Sequence, residues 1–401
     1  MSTTQLPISK KKKYRDMTPE ELEIAIEENK KIYDEHFDLV FMKSLCEEVI
    51  EMLKIYFRPV FVGFDEMPER NNPDRPIIYA CNHSGMAFPW DAIVFATGVM
   101  QKHNYDMSRL FRPLAAPMLS ASRLMNPFLL TDIWKRVGAI DATGLNFETM
   151  MHYQESNVMI YPEGVPGIGK GFNNKYKLQT FSTSMIRMAI KYQTDIIGIS
   201  CINGEYINPG SYSIEPLNRL VQKIGIPFLP VAIITPLLLL QPWLFYYAWP
   251  AKLTYVMGNR YSPSKMVNKP WEEVTQEDIK KVRDEIQSDM QVELDRGVEE
   301  YGKKPFHVKE VIRNHVKYWR SLPYWTPLGW PALFSEYDRR YYRERALPTR
   351  ITRGLFRFWY IVWKNPIIIA YFLPIIGWIP LLFRGLWGRR KVKPWEGSKV
   401  K

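Results

Sequence analysis

Ile77-Ile78-Tyr79-Ala80-Cys81-Asn82-His83-Ser84-Gly85-Met86-Ala87-Phe88-Pro89-Trp90-Asp91 is the stretch around which this chain is organised. Its first five residues are an apolar run of one buried strand's length. The polar turn Asn82-His83-Ser84-Gly85 ends that strand and sets an imidazole at its C-terminal end. Pro89 suits the first turn of a helix, where a missing N–H leaves nothing unpaired. Asp91 falls in the same turn and faces back toward His83. A strand, a histidine on the turn and a carboxylate on the next helix make an oriented general base. Without that chemistry, His83 reads as a hydrogen-bonding residue at a strand end and Asp91 as a helix cap.

Further strands are expected at Val60–Phe64, Leu110–Ala115, Gly138–Asp141, Val158–Tyr161, Ile196–Ser200 and Leu253–Met257. Helices are expected between them. Thr18-Pro19-Glu20-Glu21 carries a capping box and opens a helix to about Glu35. An apolar face runs from Leu39 to Tyr56, and helices follow Asp91, Pro117 (to about Arg136) and Phe147 (to Ser156). Another carries Leu178, Phe181, Met185, Ala189 and Tyr192. Thr275 caps a long one bearing Ile279, Val282, Ile286, Met290, Leu294 and Val298, which are packing positions. Strands alternating with helices indicate an α/β fold, a mixed central sheet flanked by helices. Functional residues in such folds gather at strand C-terminal ends. His83 lies at one such end, and Glu163, in Tyr161-Pro162-Glu163-Gly164 before a glycine-rich loop, lies at another.

The formal charge of +12 is unevenly placed: residues 338–393 hold 13 Lys/Arg against 2 Asp/Glu. That segment is also rich in Trp, Tyr and Phe, a combination that suits an anionic membrane surface. No zinc-finger or other nucleic-acid signature accompanies the charge, so no nucleic-acid partner is expected. Cys46, Cys81 and Cys201 are odd in number, far apart and set in apolar surroundings, as buried thiols of a reducing compartment would be. The six histidines show no metal-ligand spacing, and no metal is expected. The basic start has no apolar run behind it, which argues against secretion. The expected organisation is a disordered basic tail (1–16), N-terminal helices (17–57), a main domain (58–300) and a basic, aromatic, hydrophobic C-terminal extension (301–401). Residues 226–250, interrupted by five prolines, read as a hydrophobic surface loop or re-entrant segment, with buried core as the alternative. Residues 366–383 read as an in-plane or half-inserted anchor rather than a full crossing, with a helix covering the main domain as the alternative.

Gly164-Val165-Pro166-Gly167-Ile168-Gly169-Lys170 has the spacing of a phosphate-binding P-loop. Gly171 stands where a Ser or Thr would hold Mg²⁺, and Phe172-Asn173-Asn174-Lys175 is poor material for opening a helix. An NTPase is therefore only a remote alternative.

A second pattern is more specific. Asn82-His83…Asp91, Val137-Gly138-Ala139-Ile140-Asp141 and Tyr161-Pro162-Glu163-Gly164, in that order, resemble the glycerolipid acyltransferase superfamily, the lysophosphatidate and related lysophospholipid acyltransferases. The resemblance covers about residues 55–260. It implies a membrane-associated acyltransferase with acyl-CoA or acyl-carrier protein as co-substrate, membrane lipids as partners and no other cofactor. It implies His83 as general base, Asp91 as its orienting partner, and an acceptor site drawn from Asn82, Ser84, Asp141, Pro162, Glu163 and Gly164. It also implies the cytoplasmic face of a membrane, peripheral or monotopic. Three departures stand out. Seven residues separate His83 from Asp91 where the family usually has four. Ala142 follows Asp141, and Val165-Pro166 follow Gly164, where the family carries arginines expected to hold an acceptor phosphate. The acceptor is then either neutral, such as diacylglycerol, or a lysophospholipid whose phosphate is held by Lys170, Lys175 or Lys177. The stretched spacing leaves a catalytically silent lipid-binding or scaffold protein as the rival reading.

Overall fold

The middle strand of a seven-stranded sheet is β2 (Ile78–Cys81), which belongs to the quoted stretch. The others are β1 (Val60–Val62), β3 (Phe111–Ala115), β4 (Ile140–Asp141), β5 (Asn157–Ile160), β6 (Ile196–Ile202) and β7 (Thr254–Tyr261). Their spatial order is β1-β7-β6-β2-β5-β3-β4. All neighbours are parallel except β6 and β7, which are antiparallel, so the sheet is mixed. The computed structural model describes residues 14–85, 88–117, 119, 128, 130, 132–222, 231–232, 234–346 and 349–387.

Side chains alternate across a strand, and β2 feeds two cores in this way. Ile78 and Ala80 pack with Val158, Ile186 and the long helix Gln276–Tyr301 on one face. Tyr79 and Cys81 pack on the other face, against the helices Leu39–Leu45, Glu51–Phe57 and Trp90–Lys102. The C-terminal region adds to this second core. Trp330 sits 4.7 Å from Trp90 and 5.4 Å from Tyr56, ring centre to ring centre.

Local chemistry explains several helix boundaries. Thr18 with Glu21, and Thr275 with Asp278, each form the reciprocal capping box expected of them. The apolar segment from Leu39 is helical but loosens to a π turn at Cys46–Ile50. The helix expected from Phe147 to Ser156 is instead Gly144–Met150, capped by Thr143 Oγ1 accepting from Asn146 N–H. The helix expected to carry Leu178 and Phe181 starts only at Ser184. The chain before it is extended, with Leu178 N–H and Phe181 N–H donating to the side chains of Gln291 and Gln287. The loop after Glu163 forms a short helix, Gly164–Ile168.

Of the expected tail, residues 1–13 lie outside the described residues, and Tyr14–Asp16 form a 3₁₀ turn. Most of the helix expected after Pro117 also lies outside them, as do 223–230 and 233 of the proline-rich segment. The rest of that segment is the helix Ile234–Leu240 and the 3₁₀ turn Pro242–Tyr246. Residues 366–383 form two short helices, Ile367–Phe372 and the start of Trp378–Trp387, with a turn between. Among the described residues no helix is long and apolar enough to cross a membrane.

Candidate active site

Strand register brings the site together. β2 and β5 are parallel with Ala80 opposite Ile160. His83 is three residues past Ala80 and Glu163 three past Ile160, so both emerge side by side at the same sheet edge. The contact follows: Glu163 Oε1 accepts the backbone N–H of His83 at 2.9 Å. Glu163 Oε2 accepts the N–H of Gln179 at 2.6 Å.

The histidine side chain turns toward the helix Trp90–Lys102. Its Nδ1 lies 2.8 Å from Asp91 Oδ2. The same oxygen accepts the N–H of Ser84 at 3.0 Å. The longer spacing therefore does not separate the pair: Phe88 and Trp90 drop into the core ahead of Asp91. Asp91 is fully buried, and the His83 side chain is 12% exposed. Tyr161 lies against the imidazole with ring centres 4.3 Å apart, its hydroxyl held protonated by burial. Because a carboxylate can only accept, Nδ1 carries the proton and Nε2 presents its lone pair. Among the described residues no group hydrogen-bonds to Nε2. The arrangement can take a proton from an alcohol.

Close packing holds the corner. A Cβ added at Gly167 would lie 2.5 Å from Glu163 Cβ and 3.2 Å from His83 Cβ, so the short helix approaches only because residue 167 has no side chain. Pro162 presents its carbonyl to Ser182 N–H at 2.8 Å. Gly164 takes a positive φ of 59° as the chain turns into that helix.

The remaining expected site residues do other work or lie elsewhere. Asn82 clamps β6: its side chain donates to the Cys201 carbonyl at 3.1 Å and accepts the Cys201 N–H at 2.6 Å. Ser84 Oγ is buried with no hydrogen-bond partner, and it is not joined to His83 as a nucleophile would be. Asp141 ends β4, three strands from β2, about 14 Å away at the usual strand spacing. It pairs there with Lys135 at 3.5 Å. Lys170 is buried, 3.0 Å from Glu205 Oε1 and 3.9 Å from Glu163 Oε2. Burial works against its charge, but the two carboxylates outweigh that and hold it protonated. Burial raises Glu163, the larger effect, against the pull of Lys170 and the two N–H donors.

Sequence reasoning missed Glu205 and Gln179. Glu205 lies just past the C-terminal end of β6, so the rule that singled out Glu163 could have found it. Gln179 acts through its backbone and leaves no trace in residue type.

Residues 62–202 match the family model described as Acyltransferase, a span that contains the whole His83–Asp91–Glu163 constellation. Over those residues the chain is similar to the acyltransferases. Uncharacterized proteins of Mycobacterium tuberculosis and Mycobacterium bovis are each 25% identical to it over 206 residues, 51% of this chain and 52% of theirs. One from Mycobacterium leprae is 24% identical over the same length. The match thus spans about half the length of these curated relatives. A looser likeness, 14% identical with a TM-score of 0.34, covers 63% of this chain and 80% of the 1-acyl-sn-glycerophosphate acyltransferase PlsC from Thermotoga maritima. Within the matched span the histidine and its carboxylate partner are joined despite their stretched spacing.

Proposed function

We propose that this chain moves a fatty acyl group from a thioester donor, acyl-CoA or acyl-carrier protein, to the hydroxyl of a glycerolipid at the cytoplasmic face of a membrane. The observation that carries the reading is the 2.8 Å contact between His83 Nδ1 and Asp91 Oδ2, inside the span similar to the acyltransferases, which leaves Nε2 free to act as base. His83 Nε2 takes the hydroxyl proton as the alcohol oxygen attacks the thioester carbonyl. The C–S bond then breaks, and the imidazolium returns the proton to the departing thiolate. No acyl-enzyme is needed, in keeping with the isolated hydroxyl of Ser84.

The acceptor is a lysophospholipid or diacylglycerol. The burial of Lys170 between two carboxylates favours an uncharged alcohol such as diacylglycerol, since that lysine is already neutralised. Purified protein would be incubated with labelled acyl-CoA or acyl-carrier protein and a panel of lysophosphatidate, lysophosphatidylcholine and diacylglycerol. Transfer by the wild type, lost in His83→Ala with folding intact, is the expected result. Undiminished transfer by the variant removes His83 from the mechanism. No transfer from either donor to any acceptor favours the silent lipid-binding reading.

A further inference from the structure

Two segments more than a hundred residues apart in sequence build one exposed apolar ridge. The carbonyl of Leu240, at the end of the helix Ile234–Leu240, accepts the Ile375 N–H at 2.8 Å. The neighbouring carbonyl of Leu239 accepts the indole N–H of Trp378 at 2.9 Å. These two bonds set Leu237, Leu239 and Leu240 beside Ile375, Ile376 and Ile379, all exposed, with Leu239 at 69% and Ile379 at 70%. Isolated exposed apolar residues are ordinary, but six brought to one place are not.

The helix Leu355–Lys364 adds a second feature. It exposes Phe356 at 90%, with Trp359 and Trp363 beside it. Cations stand over its rings: Arg357 lies 4.5 Å from the Tyr360 ring centre and Lys364 4.7 Å from that of Trp363. No acidic residue occurs between Glu344 and Glu396. Aliphatic tips on the ridge, and indoles with cations on the helix, are the side chains that suit a boundary where acyl chains meet anionic headgroups. A second copy of this chain would bring like charge against like charge.

The ridge also reaches the site. Trp378 packs on Phe128 at 5.7 Å, Phe128 stacks on Phe245 at 3.9 Å, Phe245 meets Phe88 at 5.5 Å, and Phe88 meets Trp90 at 4.3 Å. Trp90 immediately precedes Asp91.

From this juxtaposition we infer that the ridge formed by residues 237–240 and 375–379, with the helix Leu355–Lys364, inserts into the headgroup region of an anionic bilayer and fixes the His83 site at its surface. The acceptor then enters sideways from the membrane, its acyl chains still in lipid. This rests on the acyl-transfer reading only for what the docked enzyme does; the docking itself is independent of it.

The test uses the full chain, with phosphatidylcholine vesicles with and without 30% phosphatidylglycerol as about a typical anionic content. It compares wild type, Leu239→Glu/Ile379→Glu and Trp359→Ala/Trp363→Ala, all checked for folding by circular dichroism. The wild type is expected to sediment with anionic vesicles at least tenfold better than with neutral ones. Each variant is expected to lose about tenfold in vesicle affinity. Transfer to a vesicle-embedded acceptor should fall in parallel, while transfer to a short-chain, water-soluble acceptor should not change. Variants that bind vesicles like wild type, or a wild type indifferent to phosphatidylglycerol or bound to neither vesicle, overturn the proposal. Variant-sensitive vesicle binding with no transfer to either acceptor would sink the acyl-transfer reading and leave the docking surface standing.

Discussion

Glu163 holds His83 by the backbone, not by the ring: its Oε1 accepts the His83 N–H at 2.9 Å. With Oε2 engaged on Gln179 at 2.6 Å, both oxygens are committed to main-chain donors. On the proposed mechanism Glu163 then acts by positioning His83. Glu163→Gln turns one acceptor into a donor that faces an N–H, at a cost of about 1–3 kcal/mol for the polar group left unpaired. The expected outcome is a fall in kcat with little change in KM for the acceptor alcohol. A rise in KM at constant kcat would show that the side chain binds substrate.

Asp91 fixes the tautomer of His83 through its Oδ2, the atom that also takes the Ser84 N–H. An amide oxygen can accept both bonds, so Asp91→Asn should fold normally. It would lack the negative charge that stabilises the imidazolium formed during transfer. We expect kcat to drop by about 10²–10⁴, the usual range for losing general-base assistance. Thermal unfolding measured alongside kinetics distinguishes this from a collapsed loop.

Lys170 supplies the largest opposition to the burial that raises Glu163. Removing it in Lys170→Met lets Glu163 take up a proton at higher pH, so the acid limb of the pH–rate profile moves upward. Two buried carboxylates also lose their partner, a change that typically costs about 3–5 kcal/mol. Lys170→Met/Glu205→Gln should recover part of that stability in urea titrations. An unmoved acid limb in the double variant would detach Glu163 ionisation from activity.

His152 gives a separate pH signal. Burial, with Arg75 beside it, lowers its pKa from 6.5 to about 4. Arg75 donates to Nδ1 at 2.8 Å, and Nε2 lies 3.2 Å from the Tyr192 hydroxyl, so the folded protein holds the neutral ring. Its contribution to stability is complete above pH 6.5 and is lost as pH falls toward 4, because only the unfolded chain takes the proton there. His152→Gln should flatten the fall in unfolding free energy across that window. The same slope in wild type and variant would exclude His152 as a source of acid sensitivity.

The pairing of His83 with Glu163 was legible because parallel strands with a fixed register deliver equal offsets to one edge. Asp91 was legible by residue type and not by spacing, since the approach of the two side chains depends on how Phe88 and Trp90 pack. Asp141 misled for a related reason: its motif sits at a strand end, but strand order places three intervals between it and β2. Nothing in a single sequence reveals that order. Lys170 looked like a ligand for phosphate because its buried partner Glu205 comes 35 residues later, on the far side of β6 in the chain. The late start of the helix at Ser184 escaped periodicity because apolar residues at helical spacing also occur in the extended chain before it.

The three thiols have a practical use. Cys46 is pushed up to about 12 by burial, and burial lifts Cys81 and Cys201 well above the ordinary thiol range. Cys81 ends β2 and Cys201 lies on β6, directly beneath the turn that carries His83. An alkylating reagent meets no reactive sulfur while the sheet is closed, so its rate of incorporation at those two positions is a clock for how often the middle of the protein comes apart.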